Sequence, residues 1–245
     1  MSLSAITALL APDSEVVSSR CPDLDDAAAD VRLAGDQGTA GDLPPEFERL
    51  FYAVEALRAG DRPIILQFAG VAGAEGATTV ASGFARAAAA GHARPILFLD
   101  CHLDRAPGTT LRPSPGLIEA CRQGRALAAS VAAVEGSPNL RWGRLAERDV
   151  GVAGQGAAEI RALMDSARQN HPIVVLDSPG VGASPVSAAL SRFCDGTVLV
   201  VRAGTTGAAA VSAAKAQVER FGGQVVGTVL NRHRPAAPRW LARFA

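Results

Sequence analysis

Lysine is almost missing from this chain: Lys215 is the only one in 245 residues, and arginine carries the remaining basic charge. Chemistry that needs an ε-ammonium group in a phosphate-binding loop therefore has one candidate donor. Tyrosine is equally scarce. Tyr52 stands alone and aromatics make up 4% of the residues, which leaves no tyrosine cluster in the chain. No apolar run approaches the roughly 20 residues that cross a bilayer, and Met1–Pro12 lacks the basic start of a secretory leader. A cytoplasmic protein is expected. The cysteines, Cys21, Cys101, Cys121 and Cys194, are scattered with no C-x-x-C pair, so free thiols are expected. The formal net charge is +0, leaving no global field to draw the chain to nucleic acid or an acidic membrane.

What is present is a globular composition, 48% hydrophobic with abundant Ala and Gly, and a length suited to one sizeable α/β domain. Charge is uneven along the chain. Residues 1–43 are acidic and without sustained periodicity, a composition that predicts a disordered tail. Residues 44–232 form the expected domain. Residues 233–245 form an Arg-rich C-terminal tail, read as a solvated or partner-docking segment in preference to a DNA-binding one. Within the domain, Phe47, Leu50, Phe51, Val54 and Leu57 recur at helical spacing and predict a helix over Pro45–Ala59, with Gly60 as its stop. Short apolar runs then alternate with Ala-rich helical stretches. The runs are Pro63–Ala69, Pro95–Asp100, Pro172–Asp177, Gly196–Arg202 and Gln224–Leu230. Such runs suit strands buried on both faces, so a three-layer α/β fold is expected, with a mostly parallel sheet and helices on either side. Ligands in such sheets bind at the carboxyl ends of the strands.

Three motifs fall at such ends. After the first run comes GVAGAEGATT, a Gly-rich stretch leading into a helix near Ala77. Backbone N–H groups of such a loop can curl round a phosphate, the helix N-terminus favours an anion, and the Thr78 hydroxyl can ligate magnesium. Aligned on Gly76, the pattern G-x-x-x-x-G-K-[ST] puts Val71 at the first glycine and Ala77 at the lysine. Taken alone, the stretch could equally be a ligand-free turn. The second motif, LFLDCHLDR, ends its strand at Asp100, with His102 two residues on. The third, IVVLDSPGVG, ends at Asp177 in the layout of a magnesium-associated carboxylate. Either aspartate could be a simple turn residue, but two at strand ends behind one Gly-rich loop form a stronger set.

With these motifs in view, the chain resembles the cytoplasmic domain of bacterial tyrosine kinases of capsule and exopolysaccharide assembly, within the MinD/ParA-like deviant P-loop ATPases. The matching stretches are Glu46-Phe47-Glu48-Arg49, Ala74–Thr79, Asp100–Arg105, Pro115-Gly116-Leu117, Asp177-Ser178-Pro179-Gly180, Asp195–Arg202 and Val229–Arg232. The resemblance implies Gly73, Gly76, Ala77, Thr78, Thr79 and Asn231 as nucleotide-binding positions, with Asn231 near the adenine. It implies Thr78 and Asp177 as magnesium-associated and Asp100 as the candidate base. It also implies an inner-membrane polysaccharide co-polymerase as partner, membrane association through it, and a homo-oligomer.

Departures from the family pattern matter as much. Ala77 replaces the loop lysine, Ala72 the signature lysine of the deviant class, His102 the second aspartate of the D-x-D pair, and Tyr52 the second arginine of E-x-x-R-x-x-R. Lys215, in an expected helix over Ala208–Phe221, is a poor substitute for the loop lysine, and Arg105 or Arg202 offers a planar guanidinium where an ammonium is needed. A charged hydrogen bond contributes about 1.5–3 kcal/mol, so its loss weakens nucleotide binding by about one to two decades. Phosphoryl transfer suffers more, since it depends on positioned positive charge. The expectation is a degenerate kinase-like accessory or regulatory protein of exopolysaccharide synthesis and export, binding ATP with Mg2+ weakly or not at all. A divergent ATP-binding ParA/MinD-type ATPase is the alternative.

Overall fold

The computed structural model describes residues 43–56, 58, 60–102, 116–146 and 155–232. The expected tails lie outside them, apart from Leu43, which packs against the core. Helix α1 runs Pro45–Glu55 and buries Phe47, Leu50, Phe51 and Val54. It stops short of the expected Ala59. The Arg58 guanidinium turns back there, with Nε and Nη2 donating to the Arg62 carbonyl at 3.1 and 2.9 Å and Nη1 pairing with Glu55. Each large apolar side chain on the buried face contributes about 1.5–3 kcal/mol relative to exposure. α1 reaches its neighbour through a notch: a Cβ on Gly83 would overlap the Phe47 ring, so only glycine lets the ring sit there.

Seven strands follow: β1 (Ile64–Gly70), β2 (Ile96–Asp100), β3 (Ala132–Val134), β4 (Ser137–Arg144), β5 (Ile173–Ser178), β6 (Gly196–Arg202) and β7 (Val225–Asn231). They form one sheet in the order β3-β4-β2-β5-β1-β6-β7. All pairs are parallel except β3 with β4, which is antiparallel. The remaining helices are α2 (Ala77–Gly91), α3 (Leu117–Arg122), α4 (Gln155–Asn170), α5 (Pro185–Leu190) and α6 (Ala208–Arg220). α1 and α2 close one face over Leu66, Phe68, Phe98, Trp142 and Val175. α3, α4 and α5 close the other over Ile65, Leu97, Leu99, Val174 and Leu176, with α6 beside them over Ala69 and Leu199. The expected three-layer, mostly parallel α/β architecture is therefore present.

A buried polar knot ties the middle strands together. Gln67 on β1 donates through Nε2 to Ser178 Oγ at 3.0 Å and the Ser187 carbonyl at 2.8 Å, and its Oε1 accepts from Thr197 Oγ1 at 2.9 Å. Gln67, Ser187 and Thr197 are fully buried, so these bonds replace water that cannot enter. Ser187 Oγ in turn donates to the Pro179 carbonyl at 2.6 Å, fixing the loop that leaves β5. Among the described residues no helix is long and apolar enough to cross a membrane.

Candidate functional site

The strand ends around β1, β2 and β5 make the cleft at which an open parallel sheet presents its ligand site. β1 ends at Gly70, and Gly76, with φ 87°, turns the chain into α2. No side chain caps that helix start, so its first-turn N–H groups retain the character of an anion site.

Upstream, the loop is braced from within. The Glu75 carboxylate, only 4% exposed, accepts from the amides of Ala72 at 2.9 Å and Gly73 at 2.7 Å. Asn231, at the end of β7, donates through Nδ2 to the Glu75 carbonyl at 2.8 Å, and its Oδ1 accepts from the Arg232 amide. The loop after β5 holds it from the other side: the amides of Val181 and Gly182 donate to the Gly70 and Val71 carbonyls at 2.8 and 2.9 Å. A Cβ on Gly180 would fall 2.5 Å from the Gly73 nitrogen, so the two loops touch backbone to backbone.

The carboxylates come from the sheet. Register pairs Asp100 with Asp177 on β5 and with Arg144 on β4. Since side chains alternate along a strand, Ile96, Phe98 and Asp100 share a face, as do Ile173, Val175 and Asp177. The apolar members line the α2-side core, and the aspartates end its rows. His102 joins them. Its Nδ1 lies 3.1 Å from Asp100 Oδ1 and 3.6 Å from Asp177 Oδ2, and its amide donates to Asp100 Oδ1 at 3.0 Å. Burial raises the Asp100 pKa, but the hydrogen bonds from the His102 ring and amide and the nearby His102 and Arg144 charges outweigh it, leaving the carboxyl below its ordinary value. Cys101 falls on the opposite face. Burial first, then the charges of Asp100 and Asp177, push its thiol well above the ordinary range, which keeps it protonated and unreactive.

The expected site residues thus divide between two places. Gly73, Gly76, Ala77, Thr78 and Thr79 form the loop and the first turn of α2, Thr78 half-buried and Thr79 exposed. Asp100 and Asp177 meet across β2 and β5 and are joined by His102. Asn231 stands against the loop, its amide engaged on the loop backbone. Lys215 lies on α6, its side chain 56% exposed and 3.7 Å from Glu219, on an exposed helix face as expected. Arg105 is outside the described residues. Tyr52 is 67% exposed and packs into no core. Sequence reasoning missed Glu75 as the brace, although it lies within the motif. It also missed Arg144, which ends a strand that no apolar run announces.

Two loop amides already serve Glu75, and Ala77 places no charge at the start of α2. The Asp100–His102–Asp177 group fits a cation better than the loop fits a phosphate.

No protein-family model matches the sequence, and no curated protein matches it. Solved structures do. The kinase domain of the Escherichia coli tyrosine kinase ETK is 22% identical at a TM-score of 0.60, over 78% of this chain and 79% of that one. The chimerical protein CapA2B2 is 19% identical at a TM-score of 0.67, over 82% and 88%. The MinD cell division protein of Aquifex aeolicus is 14% identical at a TM-score of 0.56, over 70% of each. In fold, this chain is therefore similar to bacterial tyrosine-kinase domains and to MinD/ParA-type ATPases.

Proposed function

We propose that this chain is a degenerate tyrosine-kinase-like accessory or regulatory protein of exopolysaccharide or capsule synthesis and export, without kinase activity. The observation that carries this reading is the loop itself. Ala77 opens α2 where the kinase pattern has lysine, Lys215 lies on α6 paired with Glu219, and two loop amides are bonded to Glu75. The framework is kept while the transfer machinery is depleted, which is the profile of a binding module. Its partner in this reading is an inner-membrane polysaccharide co-polymerase, which would hold a cytoplasmic protein at the membrane, alone or as a homo-oligomer.

Isothermal titration with ATP and Mg2+, combined with a turnover assay, tests the proposal. Weak or absent binding and no hydrolysis are expected; robust magnesium-dependent hydrolysis overturns it. A second reading, a divergent ParA/MinD-type ATPase, draws on the meeting of Asp100 and Asp177 on the α2 side of the sheet. It requires turnover in the wild type that Asp100→Ala abolishes.

A further inference from the structure

We propose that Asp100, His102 and Asp177 form a binding site for a divalent first-row transition-metal ion of the Zn2+ or Co2+ class, independent of nucleotide. One donor atom from each residue lies within 4.8 Å of the others. Two ligands held at about 2.1 Å from one ion stand about 3.0 Å apart at octahedral angles and about 3.4 Å apart at tetrahedral ones. His102 Nδ1 is 3.1 Å from Asp100 Oδ1 and 3.6 Å from Asp177 Oδ2, close to ligand spacing before any adjustment.

The group is also held in place. Sheet register sets the two aspartates side by side, and the His102 amide bond to Asp100 Oδ1 fixes the turn that carries the ring. Burial falls from Asp177, 1% exposed at its side chain, through Asp100 at 9%, to His102 at 18%, which leaves an approach on the histidine side. Two adjacent buried carboxylates favour a cation between them. The imidazole decides which cation: oxygen-only sites suit Mg2+, whereas a nitrogen donor shifts preference towards zinc, cobalt and their neighbours. Three protein ligands leave further positions for water or a ligand.

Among the described residues the histidine–acid contact outside this group, His92 with Glu55, already contains the Arg58 guanidinium and so is filled by a cation of the chain's own. Cys101 points its sulfur at the Leu99 carbonyl, 3.7 Å away in the core, and is no donor to the group.

The test uses the metal alone. Co2+ is titrated into the reduced full-length chain without nucleotide, and its visible spectrum is followed. One ion per chain should bind with nitrogen–oxygen bands and no thiolate charge-transfer band. Zn2+ should displace it, and an about hundredfold excess of Mg2+ should not. His102→Asp should weaken Co2+ by at least about tenfold and narrow the gap to Mg2+, while His92→Gln leaves both unchanged. Wild-type thermal melting is a check that needs no variant: Zn2+ should raise Tm and equimolar Mg2+ should not. Absence of binding, thiolate bands from Cys121 or another cysteine, an unchanged affinity in His102→Asp, or equal effects of Zn2+ and Mg2+ on Tm each overturn the proposal. These outcomes stand whether or not the chain hydrolyses ATP.

Discussion

The loop between β1 and α2 and the ends of β2 and β5 lie on one edge of the same sheet, yet their polar groups are disposed in opposite ways. In the loop, donors and acceptors turn inward: Glu75 takes the Ala72 and Gly73 amides, Asn231 takes the Glu75 carbonyl, and the β5 loop takes the carbonyls of Gly70 and Val71. At the strand ends, two buried carboxylates and a half-buried imidazole converge on one another. The loop is self-satisfied architecture, because its backbone needs these hydrogen bonds whether or not a ligand is present. Paired carboxylates cannot become neutral scaffolding so easily, since their repulsion continues to call for a positive partner.

The largest effect should come from the knot that supports both regions. Gln67→Leu removes three hydrogen bonds and strands buried partners, which should cost about 3 kcal/mol and lower Tm by roughly 6–12 °C; a loss under about 1 kcal/mol in denaturant melts would show that the two regions do not share this floor. Ala77→Lys should tighten ATP binding by about 10–100-fold without creating turnover. Calorimetry beside a phosphate-release assay reads both, and restored turnover would mean that the loop lacks nothing but charge. Glu75→Gln turns one of the two acceptor oxygens into a donor facing an amide and should cost about 1–2 kcal/mol, measured by urea unfolding. Co2+ affinity should not change in this variant, and a parallel loss would merge the two regions into one.

The smallest effect lies at the opposite end of the sheet. His171, just before β5, is buried with Nδ1 2.9 Å from the Pro95 carbonyl, and burial, aided by the Arg141 and Arg94 charges, lowers its pKa despite that hydrogen bond. With the native value depressed, the unfolded chain takes up the proton first. Stability should be flat above about pH 6.5 and fall with acidification until the native value is reached. His171→Asn should flatten that slope, as pH-dependent urea midpoints would reveal, and should leave both ends of the comparison untouched.

The sheet was legible because its central strands are continuous apolar runs: β6 has the expected bounds, and β1, β2, β5 and β7 differ by a residue or so at their ends. β3 and β4 were not. β3 is a three-residue edge strand with only Val134 buried, and β4, although paired on both flanks, carries Pro138, Asn139 and Arg141 among Leu140 and Trp142 and shows no run to read. The site was half legible. Asp100 and Asp177 follow from strand ends, and their adjacency follows from the strand order. What the sequence concealed was direction: that Glu75 points back under its own loop, that Asn231 reaches across from β7, and that His102, which looks like a simple loss of a carboxylate, turns its ring towards both aspartates.

Gly180 makes the loops after β1 and β5 a single mechanical unit. Any side chain there would press on the Gly73 nitrogen, and the Val181 and Gly182 amides tie the same stretch to the Gly70 and Val71 carbonyls. A displacement of either loop therefore carries the other with it, so whatever reaches one strand end is felt at its neighbour.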